Sequence, residues 1–304
     1  MKTLKISVLY KGKSSEKDVS KITGKMIAQV CKEEGYKFSL INPARYKPAN
    51  LIKELKKSDL TFIALHGGFG ENGQLQALLE MEGIKYTGSP FLSSCISMDK
   101  FISTQLAQNN NIPTPKNMII SKNTSYSIPS IVEKLKLPLI VKPNSSGSSL
   151  GITVVKEIKK MENAIKNGFL FDNNILCEQF IKGREMTVSI LDDKPLPVVE
   201  IKPKTGFYDY KNKYIKGNSE YFVPAKISDK DRKIVQGYAK KLFKIFGCKI
   251  YSRFDFIFDE TIFYFLENNT LPGMTPLSLT PMAAKSKGID FNQLIKKIIK
   301  LSLL

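Results

Sequence analysis

The chain has 304 residues and a mass of 34.2 kDa, which is enough for two or three α/β modules. Its composition, 42% hydrophobic and 25% charged, is that of a globular protein and excludes a disordered or collagen-like chain. No apolar run approaches the roughly 18 residues of a membrane-spanning helix. Four scattered cysteines without a CxxC pair indicate neither a disulfide framework nor a zinc site.

The formal net charge of +19 raises the question of nucleic-acid binding. Only four of the 47 basic residues are arginine, and no Lys/Arg run exceeds two residues. Proteins that read phosphates or bases usually cluster arginine. The scattered lysines therefore favour a composition bias over a nucleic-acid partner.

The first hundred residues alternate strands and helices. We predict strands at 3–10, 38–41 and 60–66, and helices at 20–34, 50–57 and 74–82. This succession predicts a parallel, nucleotide-fold-like sheet, whose ligands bind beyond the carboxyl ends of the strands. Because the N-terminus is predicted to be a strand rather than a signal peptide, we expect a cytoplasmic protein. His66 ends the third strand, where the pattern alone slightly favours a satisfied core histidine.

A second group of elements surrounds a glycine-rich segment. We predict one helix from Ser97 to about Asn110, strands at 118–120, 137–143 and 152–156, and a helix at 129–136. The segment NSSGSSLG (144–151) lies between two of these strands, with Lys142 just before it. Its backbone N–H groups and the lysine are suited to a phosphate, although it is not a P-loop and a plain polar turn is the alternative.

The last third contains a predicted hairpin with charged residues on one face. In the first strand, Phe254, Phe256 and Phe258 alternate with Arg253, Asp255 and Ile257. In the second strand, strict alternation would place Ile262, Tyr264 and Leu266 on the apolar face and Phe263, Phe265, Glu267 and Asn269 opposite. Antiparallel pairing then brings Asp255 near Glu267 and Asn269, a set suited to Mg²⁺, with an ion pair to Arg253 as the alternative.

A long polar and aromatic segment, 203–220, precedes this hairpin. Irregular segments of this length are often active-site lids, and a solvated connector is the alternative. We predict helices at 229–246 and about 290–301 in the rest of the chain.

Together these segments resemble the D-alanine–D-alanine ligases of the ATP-grasp superfamily. The matching motifs occur in order along the whole chain: GKSSEKDVS (12–20), ALHGGFGENGQLQ (64–76), YTGSP (86–90), SMDK (97–100), VKPNSSGSSLGI (141–152), FYDYKNKY (207–214), RFD (253–255) and ENNTLPGMTPLSLTPMA (267–283). The resemblance implies an α/β fold of three modules: a Rossmann-like N-terminal domain (1–95), a central ATP-grasp subdomain (96–180) and a C-terminal one (181–304) with the lid.

The resemblance also implies ATP-dependent joining of two D-alanines through an acyl phosphate. Glu16 would hold the ammonium group of the first D-alanine and hydrogen-bond with Ser148 and Tyr214. Arg253 and the Gly273 N–H would stabilise the oxyanion. Three further residues would contact the substrates: His66, Ser278 and Leu279.

For ATP, the resemblance implies phosphate contacts from Lys100, Lys142 and Lys213, with Ser148 beside them. Glu178 would bind the adenine amino group and Glu185 the ribose, between the apolar residues Phe180, Phe207 and Leu266. The implied ligands of Mg²⁺ or Mn²⁺, typically two ions, are Asp255, Glu267 and Asn269. A possible homodimer and no membrane or nucleic-acid partner complete these expectations.

A ligase that adds D-serine or D-lactate to D-alanine on the same fold remains an alternative. Tyr214 favours an amine as the second substrate, because that tyrosine is often replaced in such relatives. An inactive relative is disfavoured, since every implied catalytic group is present.

Overall fold

The structure, a computed structural model, describes residues 3–147, 150–204 and 218–304. Its first sheet has three parallel strands in the order β2-β1-β3. The parallel sheet predicted for this part of the chain is present, with helices between its strands. Its elements are β1 (Lys5–Leu9), α1 (Lys17–Glu33), β2 (Lys37–Ile41), α2 (Pro48–Leu55), β3 (Leu60–Ile63) and α3 (Gln74–Met81).

Two helices, α4 (Phe91–Met98) and α5 (Lys100–Asn109), follow the first sheet. The helix predicted from Ser97 to about Asn110 is present as α5 but begins at Lys100, and α4 was not predicted. Asp99 has an extended backbone, and its side chain accepts a hydrogen bond from the Ile102 N–H at 2.8 Å. Asp99 therefore ends α4 and caps the N-terminus of α5. Aspartate favours this position because its side chain can accept a hydrogen bond from a backbone N–H at the start of a helix.

The second sheet has four antiparallel strands in the order β4-β7-β5-β6. Its helices α6 and α7 pack on it around a separate apolar core. Its elements are β4 (Asn117–Ser121), α6 (Ile128–Leu135), β5 (Leu139–Pro143), β6 (Thr153–Val155), α7 (Met161–Gly168) and β7 (Asn174–Gln179).

The third sheet has six strands, five of them in the order β11-β10-β8-β12-β13, with β9 paired to β8. Strand β10 leads into the predicted lid and β11 follows it. The two strands pair with each other, with Pro203 opposite Ser219. The elements are β8 (Arg184–Leu191), β9 (Lys194–Pro195), β10 (Val199–Pro203), β11 (Ser219–Phe222), α8 (Asp229–Ile245), β12 (Tyr251–Phe258), β13 (Phe263–Asn269), α9 (Leu279–Ser286) and α10 (Phe291–Leu303).

Strand β13 departs from strict alternation. The register pairs Asp255 with Glu267, as predicted, but then Phe256 with Phe265, so a bulge lies at Leu266. The prediction that Phe263 and Phe265 share a face with Glu267 is therefore wrong. One extra residue changes the parity of a strand, so that both phenylalanines are buried with the phenylalanines of β12.

The last helix belongs to the core of the first sheet. Leu294, Ile295 and Ile298 on α10 are fully buried in the apolar cluster that contains Ile6 of β1 and Phe62 of β3. The two ends of the chain are thus joined by burial of apolar surface. Within the described ranges, no helix is long and apolar enough to cross a membrane.

Shortening an α10 side chain tests this packing. Ile298→Ala should lower the free energy of unfolding in urea by about 2–5 kcal/mol, because it removes buried methyl groups and leaves a cavity. The matched control is Ile22→Ala on α1, where the side chain is 55% exposed; its effect should stay within about 0.5 kcal/mol. Equal effects of the two substitutions would contradict the packing described for α10.

Candidate active site

A cleft between the second and third sheets collects most of the predicted nucleotide residues. The space between its walls, together with the part open to solvent, is about 870 Å³. Apolar side chains such as Ile140, Met186 and Ile257 form its walls. The predicted site residues that line it are Lys100, Lys142, Glu178, Phe180, Glu185, Arg253, Asp255, Leu266, Glu267 and Leu279.

A buried ion pair lies within this cleft. The Nζ of Lys142, on β5, donates to Oε1 of Glu178, on β7, at 2.8 Å, and both side chains are almost fully buried. The antiparallel pairing of β5 with β7 brings them together. Among the described residues, Oε2 of Glu178 has no hydrogen-bond partner. A buried, unsatisfied acceptor is costly, so this oxygen is suited to a donor on a ligand.

Lys100 connects the glycine-rich segment to the hairpin. Its Nζ donates to the carbonyl of Ser146 at 2.8 Å and lies 3.4 Å from Oε2 of Glu267. The lysine begins α5, where its backbone N–H donates to the carbonyl of Asn144. Asn144 also accepts from the Phe101 N–H at 2.9 Å. Helix α5 thus holds the start of the segment beside a cation that is suited to phosphate.

The carboxylate of Asp255 accepts four hydrogen bonds from side chains. Arg253 binds it with two hydrogen bonds, from Nε to Oδ1 at 2.9 Å and from Nη2 to Oδ2 at 2.8 Å. Asn269 donates to Oδ2 at 3.0 Å. Thr187, directly opposite on β8, donates to Oδ1 at 2.6 Å. Thr187 was missed by the sequence analysis, because only the register of β8 against β12 shows that it faces the carboxylate.

The hairpin residues fit a Mg²⁺ ion that shares phosphate and water ligands. Asp255, Glu267 and Asn269 offer only oxygen ligands, which this ion prefers, and they lie together on two neighbouring strands. The described residues contain no group of three or more His, Cys, Asp or Glu side chains that would hold a metal alone. The alternative raised from the sequence, an Arg253–Asp255 ion pair, is also present.

The first module contributes Glu16 to the same region. Glu16 precedes α1, and its Oε2 lies so close to Gly67 that a Cβ there would approach it to 2.5 Å. A Cβ on Gly147, in the glycine-rich segment, would lie 3.1 Å from the same oxygen. Glycine at both positions therefore lets two loops approach one carboxylate.

A turn before α9 holds Gly273 and Ser278 together. A Cβ on Gly273 would lie 3.0 Å from Oγ of Ser278. That oxygen accepts from the Thr275 N–H at 3.1 Å, and the Ser278 N–H donates to the Thr275 carbonyl at 2.8 Å. The predicted oxyanion donor and the predicted carboxylate-binding serine are thus neighbours in one closed turn.

His66 is buried beside this region with partners on both ring nitrogens. Nε2 lies 2.9 Å from Oγ1 of Thr23, and Nδ1 lies 2.9 Å from the carbonyl oxygen of Leu271. Burial lowers the pKa of His66; Glu16 and the Leu271 carbonyl oppose that effect and Arg253 adds to it. The ring is therefore neutral near pH 7.

Glu71 is a further carboxyl group of the site. It lies in the motif ALHGGFGENGQLQ (64–76), but no role was predicted for it. Its Oε2 accepts from the Gly67 N–H at 2.7 Å. Burial, with Glu16 next in effect, raises its pKa to about 8, against the opposing effects of the Gly67 N–H and Arg253. Glu71 is thus protonated at neutral pH, when no ligand is bound.

Four predicted site residues lie outside the described residues: Ser148, Phe207, Lys213 and Tyr214. Their assignment to ATP and substrate contacts rests on the resemblance alone.

Glu71 should give the protein a distinctive pH dependence. Its pKa is raised above 4.5, so between about pH 4.5 and 8 the folded chain keeps a proton that the unfolded chain has lost. Stability should therefore fall as pH rises through this range, by at most about 1.4 kcal/mol per pH unit for one group. Glu71→Gln keeps an acceptor for the Gly67 N–H but cannot titrate, so the fall in stability with rising pH should disappear.

Urea unfolding without metal, at intervals from pH 5 to 8.5, measures the effect. The exposed Glu133→Gln on α6 is the matched control and should follow the wild-type profile. Parallel profiles for wild type and Glu71→Gln would show that Glu71 does not carry the proton.

Comparison with known proteins identifies the family. Two family models match, "D-ala D-ala ligase N-terminus" over residues 42–89 and "D-ala D-ala ligase C-terminus" over residues 106–300. The D-alanine–D-alanine ligase of Methylacidiphilum infernorum is 41% identical over 300 residues, covering 98% of this chain and 95% of that protein. The corresponding Haemophilus influenzae ligase is 38% identical, covering 97% of this chain and 100% of that protein.

Solved structures agree with these relatives. The D-alanine–D-alanine ligase of Bacillus anthracis complexed with ATP has a TM-score of 0.89 at 33% identity, covering 99% of this chain and 98% of its own. The VanG D-Ala:D-Ser ligase of Enterococcus faecalis has a TM-score of 0.84 at 29% identity, covering 99% and 100%. These similarities confirm the resemblance and the α/β ATP-grasp fold inferred from the sequence, and the chain belongs to the D-alanine–D-alanine ligase family.

Proposed function

We propose that this chain joins two D-alanines to D-alanyl-D-alanine with ATP, as a step in making peptidoglycan precursors. The observation that carries the proposal is the convergence of the predicted nucleotide and hairpin residues on one cleft, in a chain that matches this family over nearly its whole length. The γ-phosphoryl group of ATP passes to the carboxylate of the first D-alanine, giving an acyl phosphate and ADP. The amine of the second D-alanine attacks its carbonyl carbon, and the tetrahedral intermediate expels phosphate.

For ATP, the cleft offers both charge and shape. The unpaired Oε2 of Glu178 can accept from the adenine amino group, and Glu185 lines the same cleft for the ribose. Phe180 and Leu266 provide apolar contact for the base. The cations for the phosphates are Lys100, Lys142 and, from the lid, Lys213.

Asp255, Glu267 and Asn269 would hold Mg²⁺ or Mn²⁺, in our proposal two ions. Bound there with ATP, the metal would neutralise charge that develops on the phosphate oxygens. Asp255 is held from β8, where Thr187 donates to its Oδ1. Strand β8 lies on one side of β12, and β13, which carries Glu267 and Asn269, lies on the other.

Next to the nucleotide residues, the chain's own groups would bind and orient the two amino acids. Glu16 attracts the ammonium group of the first D-alanine and would hydrogen-bond with Ser148 and Tyr214. Arg253 and the Gly273 N–H would donate to the oxyanion of the tetrahedral intermediate. Ser278 and Leu279, at the start of α9, would receive the carboxylate of the second D-alanine.

We propose further that segment 203–220 closes as a lid, with Phe207 against the base, and so excludes water from the acyl phosphate. The divisions 1–95, 96–180 and 181–304, a cytoplasmic location and a homodimer complete the proposal. A second candidate, addition of D-serine or D-lactate, is kept because VanG, a D-Ala:D-Ser ligase, shares the fold.

The choice of acceptor is tested by phosphate release. With ATP and Mg²⁺, the chain should release phosphate with D-alanine and form the dipeptide, with little release for L-alanine. D-serine and D-lactate are each supplied with a limiting amount of D-alanine. A mixed product, D-alanine joined to D-serine or to D-lactate, would identify the corresponding related ligase. If the only products were the mixed ones, containing D-serine or D-lactate, the D-alanine assignment would be overturned and the family assignment would stand.

The metal assignment is tested on the hairpin. Glu267→Gln keeps the size of the side chain and removes a charge that would bind metal, so turnover should fall by about 10²-fold or more, with a higher Mg²⁺ concentration for half-maximal activity. The matched control is Glu260→Gln in the exposed turn of the same hairpin, which should keep wild-type turnover. Near-normal turnover of Glu267→Gln would contradict this metal site.

A further inference from the structure

The single histidine of the chain connects two parts of the protein that are distant in sequence. His66 is only 6% exposed. One ring nitrogen contacts Thr23 on α1, and the other contacts the backbone of Leu271, which is 205 residues away along the chain. Its own backbone is also held, because its N–H donates to Ser20 Oγ at 2.9 Å and its carbonyl accepts from Ser14 Oγ at 2.6 Å.

These partners determine the tautomer of the ring. The Leu271 carbonyl can only accept, so the proton must be on Nδ1. A neutral ring then has a lone pair on Nε2, and the Thr23 hydroxyl must be the donor. In the other tautomer the Nδ1 lone pair would face the Leu271 carbonyl oxygen, so this carbonyl selects the Nδ1–H form whether or not Thr23 is present. Thr23 satisfies Nε2 and so anchors the ring that bridges to Leu271.

The bridge lies between two groups that the reaction must hold at a fixed separation. Thr23 is on the helix that Glu16 precedes, and the Ser20 hydroxyl also donates to the Glu16 carbonyl at 3.1 Å. Leu271 is two residues before Gly273, whose N–H is the proposed oxyanion donor. The imidazole thus joins the helix that Glu16 precedes to the segment that leads into the oxyanion turn.

We propose that His66 is a positioning residue: as the neutral Nδ1–H tautomer selected by the Leu271 carbonyl and anchored by Thr23, it fixes the oxyanion turn relative to Glu16. The sequence resemblance implied a substrate contact for His66, but both ring nitrogens already have protein partners. The catalytic consequence rests on the proposed ligase function, whereas the tautomer does not.

The charged groups around the ring agree with a neutral bridge. Glu16 favours the imidazolium, while Arg253 and burial oppose it, and burial has the largest effect. Glu71, which bonds the next residue, is itself protonated near pH 7 and so adds little negative charge.

Nitrogen NMR tests the tautomer directly, because the chain has one histidine and its spectrum needs no assignment. In full-length protein labelled with ¹⁵N-histidine, at pH 7.5, we expect one protonated Nδ1 and one unprotonated Nε2. Thr23→Val should keep the Nδ1–H form, because the Leu271 carbonyl still accepts, but should shift the Nε2 resonance, which loses its hydrogen-bond donor; Thr23→Ser should restore the wild-type shift. An Nε2–H tautomer or an imidazolium in the wild type would overturn the inference.

Kinetics tests the positioning role. Thr23→Val should lower kcat for dipeptide formation by about tenfold, because small misplacement of reacting groups is costly, and should leave the KM for ATP unchanged. Thr23→Ser should be close to wild type. The control is Thr61→Val on β3: Thr61 is fully buried, its hydroxyl has no partner among the described residues, and the substitution is the same.

The outcomes separate the two proposals. Wild-type kcat and KM for D-alanine in Thr23→Val would overturn the positioning role. So would an equal loss in Thr61→Val, because it would reflect general loosening of the first module. A wild-type chain that forms no dipeptide would overturn the proposed function and the kinetic consequence with it, while the NMR spectrum would still decide the tautomer.

Discussion

The antiparallel ladder formed by β8, β12 and β13 sets the geometry on which the rest of the site depends. It places Arg253, Asp255, Glu267 and Asn269 on one face of two adjacent strands, with Thr187 bonded to Asp255 from the third. The bulge at Leu266 has a double effect: it leaves Leu266 and Glu267 both lining the cleft, and it turns Phe265 into the core behind them. Because that core is tightly packed with aromatic rings, the polar face has little freedom to move.

A second constraint is electrostatic. Each proposed cation of the described cleft lies against a carboxylate: Lys142 against Glu178, Lys100 against Glu267, and Arg253 against Asp255. In a site of low dielectric, such pairs relieve the cost of burying charge. In the proposed function, a nucleotide bound with its metal would bring both signs of charge and could replace these partners. The same reasoning explains why Glu71, which makes no hydrogen bond to a cation among the described residues, has a raised pKa.

Contacts between distant parts of the chain complete the site. Helix α10 packs in the core of the first sheet, the Glu16 carboxylate lies against Gly67 and Gly147, and His66 bridges α1 to Leu271. Behind the hairpin, Asn268 donates to Ser97 of α4 at 2.7 Å and accepts from Ser252 of β12. The amide thus holds the face of β13 opposite Glu267 and Asn269, which fixes the direction in which those side chains point.

Features that depend on short-range pattern or on ordered motifs were predictable from the amino-acid sequence. The alternation of strands and helices predicted the parallel first sheet. Period-two spacing predicted the hairpin and its Asp255–Glu267 pair, and the series of motifs identified the family. The sequence did not reveal the cap at Asp99, where a side chain competes with helix continuation, or the bulge at Leu266, where one residue reverses the faces of a strand.

Tertiary structure alone decided which remote side chains meet. Thr187 is significant only through its register opposite Asp255, Glu71 only through burial beside Glu16, and Thr23 only through the ring of His66. These effects arise from desolvation and hydrogen bonding between elements that are far apart in the chain, and no local pattern encodes them, because a strand or helix has the same spacing whichever neighbour it packs against.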